Sequence, residues 1–226
     1  MNLARWLPSQ CHICRAWPAR PVCDACRACF AQPVARCRAC ALPLAGGAVL
    51  CGACLREPPP MDESLAAVDY GWPWSALLAQ FKFRQQTGLA AALADLIRQA
   101  PGAAQALDAA DAVLPVPASR QRLAARGYNP ALLLARQLAP RRAVLADALL
   151  RLHDAPPQRT LNRRERLARV QGAFAAAPHH AAALSGRRLV LVDDVMTTGA
   201  TVRAAASALR AAGAAHISVL VLARTV

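Results

Sequence analysis

Lysine is almost absent from this chain: Lys82 is the only one among 27 basic side chains. Acids are scarce too, 13 in all, and aromatic residues make up only 4%. No cysteine follows Cys54. No uncharged apolar run approaches the roughly 18 residues of a membrane span, which excludes a helical membrane insertion. The opening segment, 1–10, carries Arg5 and Pro8 and lacks the apolar core of a secretory leader. The expectation is a cytoplasmic protein.

What is present is apolar and basic. The 226 residues are 56% hydrophobic, mostly Ala and Leu, which excludes a disordered chain. That length suits one medium domain with a small accessory unit. The formal net charge is +14. Such a surplus favours polyanionic partners, either nucleic acid or phosphorylated small molecules. An Ala- and Arg-rich composition also accounts for part of it, with Arg taking the place of Lys on a solvated surface.

Composition changes near residue 60. Four Cys-x-x-Cys pairs lie before it: Cys11/Cys14, Cys23/Cys26, Cys37/Cys40 and Cys51/Cys54. In a reducing compartment such pairs read as metal ligands rather than disulfides. Each pair presents two thiolates to one ion, and two pairs complete a tetrahedral four-cysteine site. Eight thiolates call for two structural Zn2+ ions, and Cys29 is left over. Sequential and cross-braced pairing both remain open. A segment this short has too little core to fold without such staples. Arg15, Arg20, Arg27, Arg36, Arg38 and Arg56 make it basic, so it is either a binding ribbon or a scaffold docked on the rest. Pro58-Pro59-Pro60 marks a stiff linker, dividing a zinc-ribbon module, 1–60, from a larger domain, 61–226.

The larger part alternates short apolar strands with Ala/Leu-rich helices, an α/β pattern. Strands are expected at Leu65 to Tyr70, Ala112 to Val116, Arg188 to Val192 and Ile217 to Ala223. Helices are expected at Trp74 to Phe83, Gly88 to Gln99, Asn129 to Leu138 and Thr201 to Ala212, the last closed by Gly213. The final strand-helix-strand unit requires a sheet that is at least partly parallel.

The most informative stretch runs from Leu189 to Thr201. Four apolar residues lead into Asp193 and Asp194, then Val195-Met196, then Thr197-Thr198-Gly199-Ala200-Thr201. A strand delivers this loop to the carboxyl edge of a parallel sheet, where open α/β folds bind ligands. The loop and helix start offer backbone N–H groups to a phosphate. Gly199 allows close approach and an unusual backbone angle. Two carboxylates accept hydrogen bonds from a cis-diol, or hold Mg2+ directly or through water. A plain helix cap would need only one Asp or Thr.

This stretch resembles the 5-phosphoribosyl-1-pyrophosphate (PRPP) motif of type I phosphoribosyltransferases. The resemblance implies that Asp193 and Asp194 contact the ribose hydroxyls, that Thr197, Thr198, Gly199, Ala200 and Thr201 wrap the 5-phosphate, and that Mg2+ accompanies PRPP. Other segments narrow it: Phe81-Lys82-Phe83, Leu114-Pro115-Val116-Pro117, Arg120, Arg122, Arg126-Gly127-Tyr128-Asn129, Gln158, Arg163-Arg164-Glu165-Arg166 and Gly172-Ala173-Phe174. With the cysteine module, the chain from Cys11 to Arg224 is similar to the ComF family, phosphoribosyltransferase-like proteins linked to bacterial DNA uptake.

The ComF likeness implies a parallel sheet flanked by helices behind a double zinc ribbon. It adds Lys82 and Val116 to the PRPP contacts and sets Arg126 beside Asp193 and Asp194 in catalysis. The implied reaction replaces pyrophosphate at the anomeric carbon with a nitrogen nucleophile. The acceptor is not legible. Arg120, Arg122 and Arg126 suit bidentate contact with pyrophosphate, or form a solvated basic helix. Arg169 stands where the family pattern has Asn, which puts that position's role in doubt. The alternative is a non-catalytic adaptor whose zinc module binds single-stranded DNA or a protein of the competence machinery.

Overall fold

The computed structural model describes residues 9–140, 142–152 and 172–226. The basic run from Arg159 to Arg169, with Gln158, lies outside the described residues.

In chain order the main elements are α1 (Asp24–Phe30), α2 (Gly52–Arg56), β1 (Glu63–Asp69), α3 (Trp74–Phe83), α4 (Ala90–Gln99) and α5 (Ala103–Ala109). There follow β2 (Ala112–Pro115), α6 (Arg120–Arg126), α7 (Pro130–Leu138), β3 (Ala143–Val144) and β4 (Leu149–Arg151). The last are β5 (Phe174–Ala176), α8 (Ala181–Leu184), β6 (Arg188–Met196), α9 (Ala200–Ala211) and β7 (His216–Arg224). Five strands form one parallel sheet in the order β1-β7-β6-β2-β3. β4 and β5 pair separately and antiparallel.

Strand periodicity explains the layering. Successive side chains point to opposite faces. Val190 and Val192 join Leu77, Phe81, Leu93, Ile97 and Leu134 on one side. Leu189 and Leu191 join Val202, Ala205, Ala206 and Leu209 on the other. Both faces are covered, so β6 and β7 read as nearly unbroken apolar runs.

The helix Trp74–Phe83 has its expected bounds. Asn129 caps α7, its side chain accepting from the Ala131 N–H, with Pro130 in the first turn. β6 is longer than expected: it continues past Val192 through both acids to Met196. The reason is β7, which pairs with it out to Met196 opposite Arg224. β2 stops at Pro115 opposite Val192, so the acidic end of β6 projects beyond its neighbour on that side.

The cysteine-rich segment packs directly on this sheet. Cys11, Val22 and Cys26 belong to the same apolar cluster as Trp74. Trp74 Nε1 donates to the Phe30 carbonyl at 3.0 Å, and His12 Nδ1 meets Gln80 Oε1 at 3.1 Å. The Ser64 N–H donates to the Arg38 carbonyl at 2.7 Å. Among the described residues no helix is long and apolar enough to cross a membrane.

Candidate functional site

The strand ends gather one cleft of about 440 Å³. Asp193, Asp194, Thr197 and Thr201 come from β6 and the turn into α9; Val116, Pro117, Arg122, Arg126 and Asn129 come from the other side. Lys82, from α3, also lines it. Proline and backbone bonds fix the far wall. The Val116 N–H donates to the Val192 carbonyl at 2.8 Å, and Asn129 Nδ2 donates to the Val116 carbonyl at 3.0 Å. Asn129 thus caps a helix and pins the Val116–Pro117 turn at once.

The loop has the form its residues imply. Gly199 adopts φ +78°, where a Cβ is strained, and stands immediately before α9. Gly199 offers no side-chain cap, so the first-turn N–H groups beyond Ala200 remain to serve an anion. Thr197 and Thr201 line the cleft. Thr198, Gly199 and Ala200 form the turn between them rather than its wall. The Ala200 N–H reaches Thr198 Oγ1 at 3.4 Å.

Charge in the cleft is concentrated and opposed. Lys82 Nζ lies 2.8 Å from Asp194 Oδ1, with both side chains mostly buried. The chain's single lysine is therefore held by one of its two adjacent acids. Burial pushes the Asp193 carboxyl up to about 7, and the neighbouring Asp194 charge adds to this; Lys82 and Arg122 oppose it. A carboxyl titrating near neutrality in a cleft is a mark of functional sites. Arg126 lies over the Phe83 ring, 4.8 Å from its centroid.

Among the lining residues that escaped the sequence reading are Tyr70, Arg151 and Thr225. Tyr70 and Thr225 directly follow β1 and β7, which end at the same sheet edge; the Tyr70 N–H donates to the Arg224 carbonyl at 2.8 Å. Arg151 closes β4, and its guanidinium sits 5.4 Å from the Phe174 ring centroid. The only available signal was the shared position of these residues at strand ends. Arg120, by contrast, does not line the cleft.

The cysteines form two clusters. Cys11, Cys14, Cys23 and Cys26 bring their sulfurs together, as do Cys37, Cys40, Cys51 and Cys54. Pairing is therefore sequential. With Zn–S near 2.3 Å, a tetrahedron has edges of about 3.8 Å. Sulfur separations of 3.9 Å for Cys11–Cys26, 3.6 Å for Cys14–Cys23 and 3.7 Å for Cys40–Cys51 fit that edge. Backbone N–H groups face the sulfurs, Cys51 N to Cys37 Sγ at 3.3 Å among them. Both clusters can hold zinc. Cys29 is exposed and belongs to neither.

The second cluster is tied to the loop that follows β6. Arg224 is buried, and its Nε donates to the Cys40 carbonyl at 2.9 Å. Its Nη1 donates to the carbonyls of Met196, at 3.3 Å, and Thr197. On α9, Arg203 Nη2 lies 3.9 Å from Cys54 Sγ.

Comparison with known proteins bears on the family of the chain. Residues 123–225 match the phosphoribosyl transferase domain. The DNA utilization protein YhgH of Salmonella typhimurium is 34% identical over 97% of this chain and 98% of its own length. Competence protein F of Haemophilus influenzae is 35% identical over 77% of this chain and 78% of its own. A solved structure of the allosteric regulatory enzyme of purine biosynthesis is similar at 21% identity, with a TM-score of 0.38. The likeness covers 60% of this chain and 25% of that one.

Proposed function

Because this chain belongs to the ComF family of phosphoribosyltransferase-like proteins, we propose that its cleft binds PRPP with Mg2+ and that the protein acts in the uptake or use of DNA. In this reading 1–60 is the zinc-ribbon unit and 61–226 the PRPP-binding domain. One observation carries it. Two adjacent carboxylates face the same cleft as Thr197 and Thr201, which flank the glycine turn at a helix start, with Lys82, Arg122 and Arg126 on the cleft wall.

Each group has a task that its position allows. Asp193 and Asp194 accept hydrogen bonds from the ribose diol. The N–H groups at the start of α9, with the Thr197 and Thr201 hydroxyls, receive the 5-phosphate. Arg122 and Arg126 serve the pyrophosphate, whose departure is eased by fixed positive charge. Asp193 and Asp194 are the residues that would hold Mg2+, directly or through water; such a hard cation would supply positive charge to the pyrophosphate oxygens. PRPP binding requires Lys82 to share Asp194 with the ligand.

The test is calorimetric titration of the zinc-loaded chain with PRPP and Mg2+, beside the Asp193→Asn/Asp194→Asn double variant. Binding by the parent that disappears in the variant supports the site. A parent that does not bind removes the proposal.

A second reading is favoured by a different observation. Trp72 and Phe83 are each 69% exposed and Tyr70 is 46% exposed, an unusual outlay of rings in a chain so poor in them. Exposed aromatics beside arginines form stacking platforms for single-stranded nucleic acid. DNA affinity that survives the Asp193/Asp194 double substitution would favour an adaptor role independent of PRPP.

A further inference from the structure

Away from the cleft, Asp147 meets His179 and His180. Asp147 lies two residues before β4, and the histidines follow β5 within a short 3-10 turn that Pro178 begins. His180 Nε2 is 2.9 Å from Asp147 Oδ1, and His179 Nε2 is 3.4 Å from Oδ2. The same nitrogen of both rings thus faces one carboxylate.

We propose that Asp147, His179 and His180 form a third metal site, for a borderline divalent transition ion such as Zn2+ or Co2+, distinct from the two cysteine clusters. The donor atoms all lie within 4.8 Å of one another. With metal–ligand bonds near 2.1 Å, neighbouring donors stand about 3.0 Å apart in an octahedron and about 3.4 Å apart in a tetrahedron. The observed 2.9 Å and 3.4 Å, one to each carboxylate oxygen, lie in the range of donor spacings that such an ion spans. Two imidazoles with one carboxylate select zinc, cobalt, nickel or copper over magnesium and calcium, which prefer all-oxygen surroundings.

The donors are held rather than loose. The His180 side chain is only 18% exposed. The two rings lie against each other, 4.4 Å between centroids. The Ala177 N–H donates to the Ala148 carbonyl at 2.8 Å, which ties the two donor segments together beside the site. The exposure of Asp147 and His179, 70% and 65%, leaves the remaining coordination positions to water.

The position gives the ion a use. β4 and β5 pair from Leu149 opposite Ala176 to Arg151 opposite Phe174. The three donors close one end of this pair, and Arg151, which lines the cleft, stands at the other. A bound ion would clip the pair at its distal end and stiffen the strand that carries Arg151. This inference does not depend on the PRPP reading.

The experiment is titration of the full zinc-loaded chain with Co2+, read by metal content and by the visible spectrum. Cobalt on thiolates gives intense sulfur-to-metal charge-transfer bands; cobalt on imidazole and carboxylate does not. The expected result is one Co2+ bound beyond two retained Zn2+, without those bands. That equivalent is lost in His179→Ala/His180→Ala and in Asp147→Asn, both with zinc content and circular dichroism unchanged. No extra equivalent, one that persists in both variants, or one that brings thiolate bands would each overturn the proposal.

Discussion

Arg224 Nε donates to the carbonyl of Cys40 at 2.9 Å, while its Nη1 reaches the carbonyls of Met196 and Thr197. One buried guanidinium thereby joins a cysteine knuckle to Thr197, the first residue after β6. Arginine presents a rigid fork of donors, and a lysine cannot serve these acceptors together. Arg224→Met should cost about 2–4 kcal/mol in denaturant unfolding, through carbonyls left buried without donors. Arg224→Lys should recover part of that stability. In both variants the amides from Thr197 to Thr201 should exchange faster with deuterium, and PRPP affinity should fall. Unchanged exchange there would mean that the contact is packing alone.

The ion pair at the cleft makes a second expectation. Lys82 and Asp194 are both largely shielded from water. Lys82→Met strands a carboxylate in the cleft and should destabilise the protein by about 2–4 kcal/mol. Replacing both, as Lys82→Met with Asp194→Leu, should return much of it, because two apolar side chains leave no charge to solvate. A double-mutant cycle in urea measures the coupling. Strict additivity would show that the pair contributes nothing beyond its separate members.

Much of this site was legible because its parts are contiguous in sequence. Asp193 through Thr201 lie in one run, and the sharp change from apolar to acidic residues marks the strand's functional end. The eight paired cysteines were equally plain, yet the sequence left their pairing open until the sulfurs were located in space. What was hidden depends on distance along the chain. Tyr70, Arg151 and Thr225 reach the cleft from three separate strand ends. Arg224 lies one residue past the expected end of the last strand, and nothing local in the sequence marks it as buried. The short helix Ala103–Ala109 was missed, and Arg120–Arg126 was raised only as the alternative of a solvated basic helix. The second buries none of its residues, so it offers no apolar period to detect.

Sequential pairing of the cysteines has a direct consequence for zinc content. Cys14 and Cys40 belong to different clusters. Cys14→Ser and Cys40→Ser should each lower the zinc content from two ions to one, and the double variant should bind none tightly. In a cross-braced module these two cysteines would share an ion, and the double variant would retain one. Metal analysis of the purified variants separates the cases. Because the first cluster shares apolar packing with Trp74, Cys14→Ser should also lower the melting temperature of the whole chain.

Asp193 sets a pH dependence with a defined sign. Its carboxyl is raised from 3.8 to about 7, chiefly by burial. Between those values the folded state holds a proton that the unfolded state has released. Stability from this group is fully present below about 4, declines as pH rises, and is lost once pH passes about 7. The free protein should therefore lose on the order of 2 kcal/mol between pH 5 and pH 8 from this residue. Asp193→Asn cannot ionise, so its unfolding free energy should change less over that interval and exceed the parent's at pH 8. The same substitution should weaken PRPP binding, because an amide is a poorer acceptor for the ribose hydroxyls than a carboxylate. A stability gain at pH 8 together with lost affinity would mark Asp193 as a group kept for binding at the expense of folding. Parallel stability profiles for parent and variant would instead mean that Asp193 is ionised at no cost in the fold. Urea unfolding at several pH values decides between these outcomes.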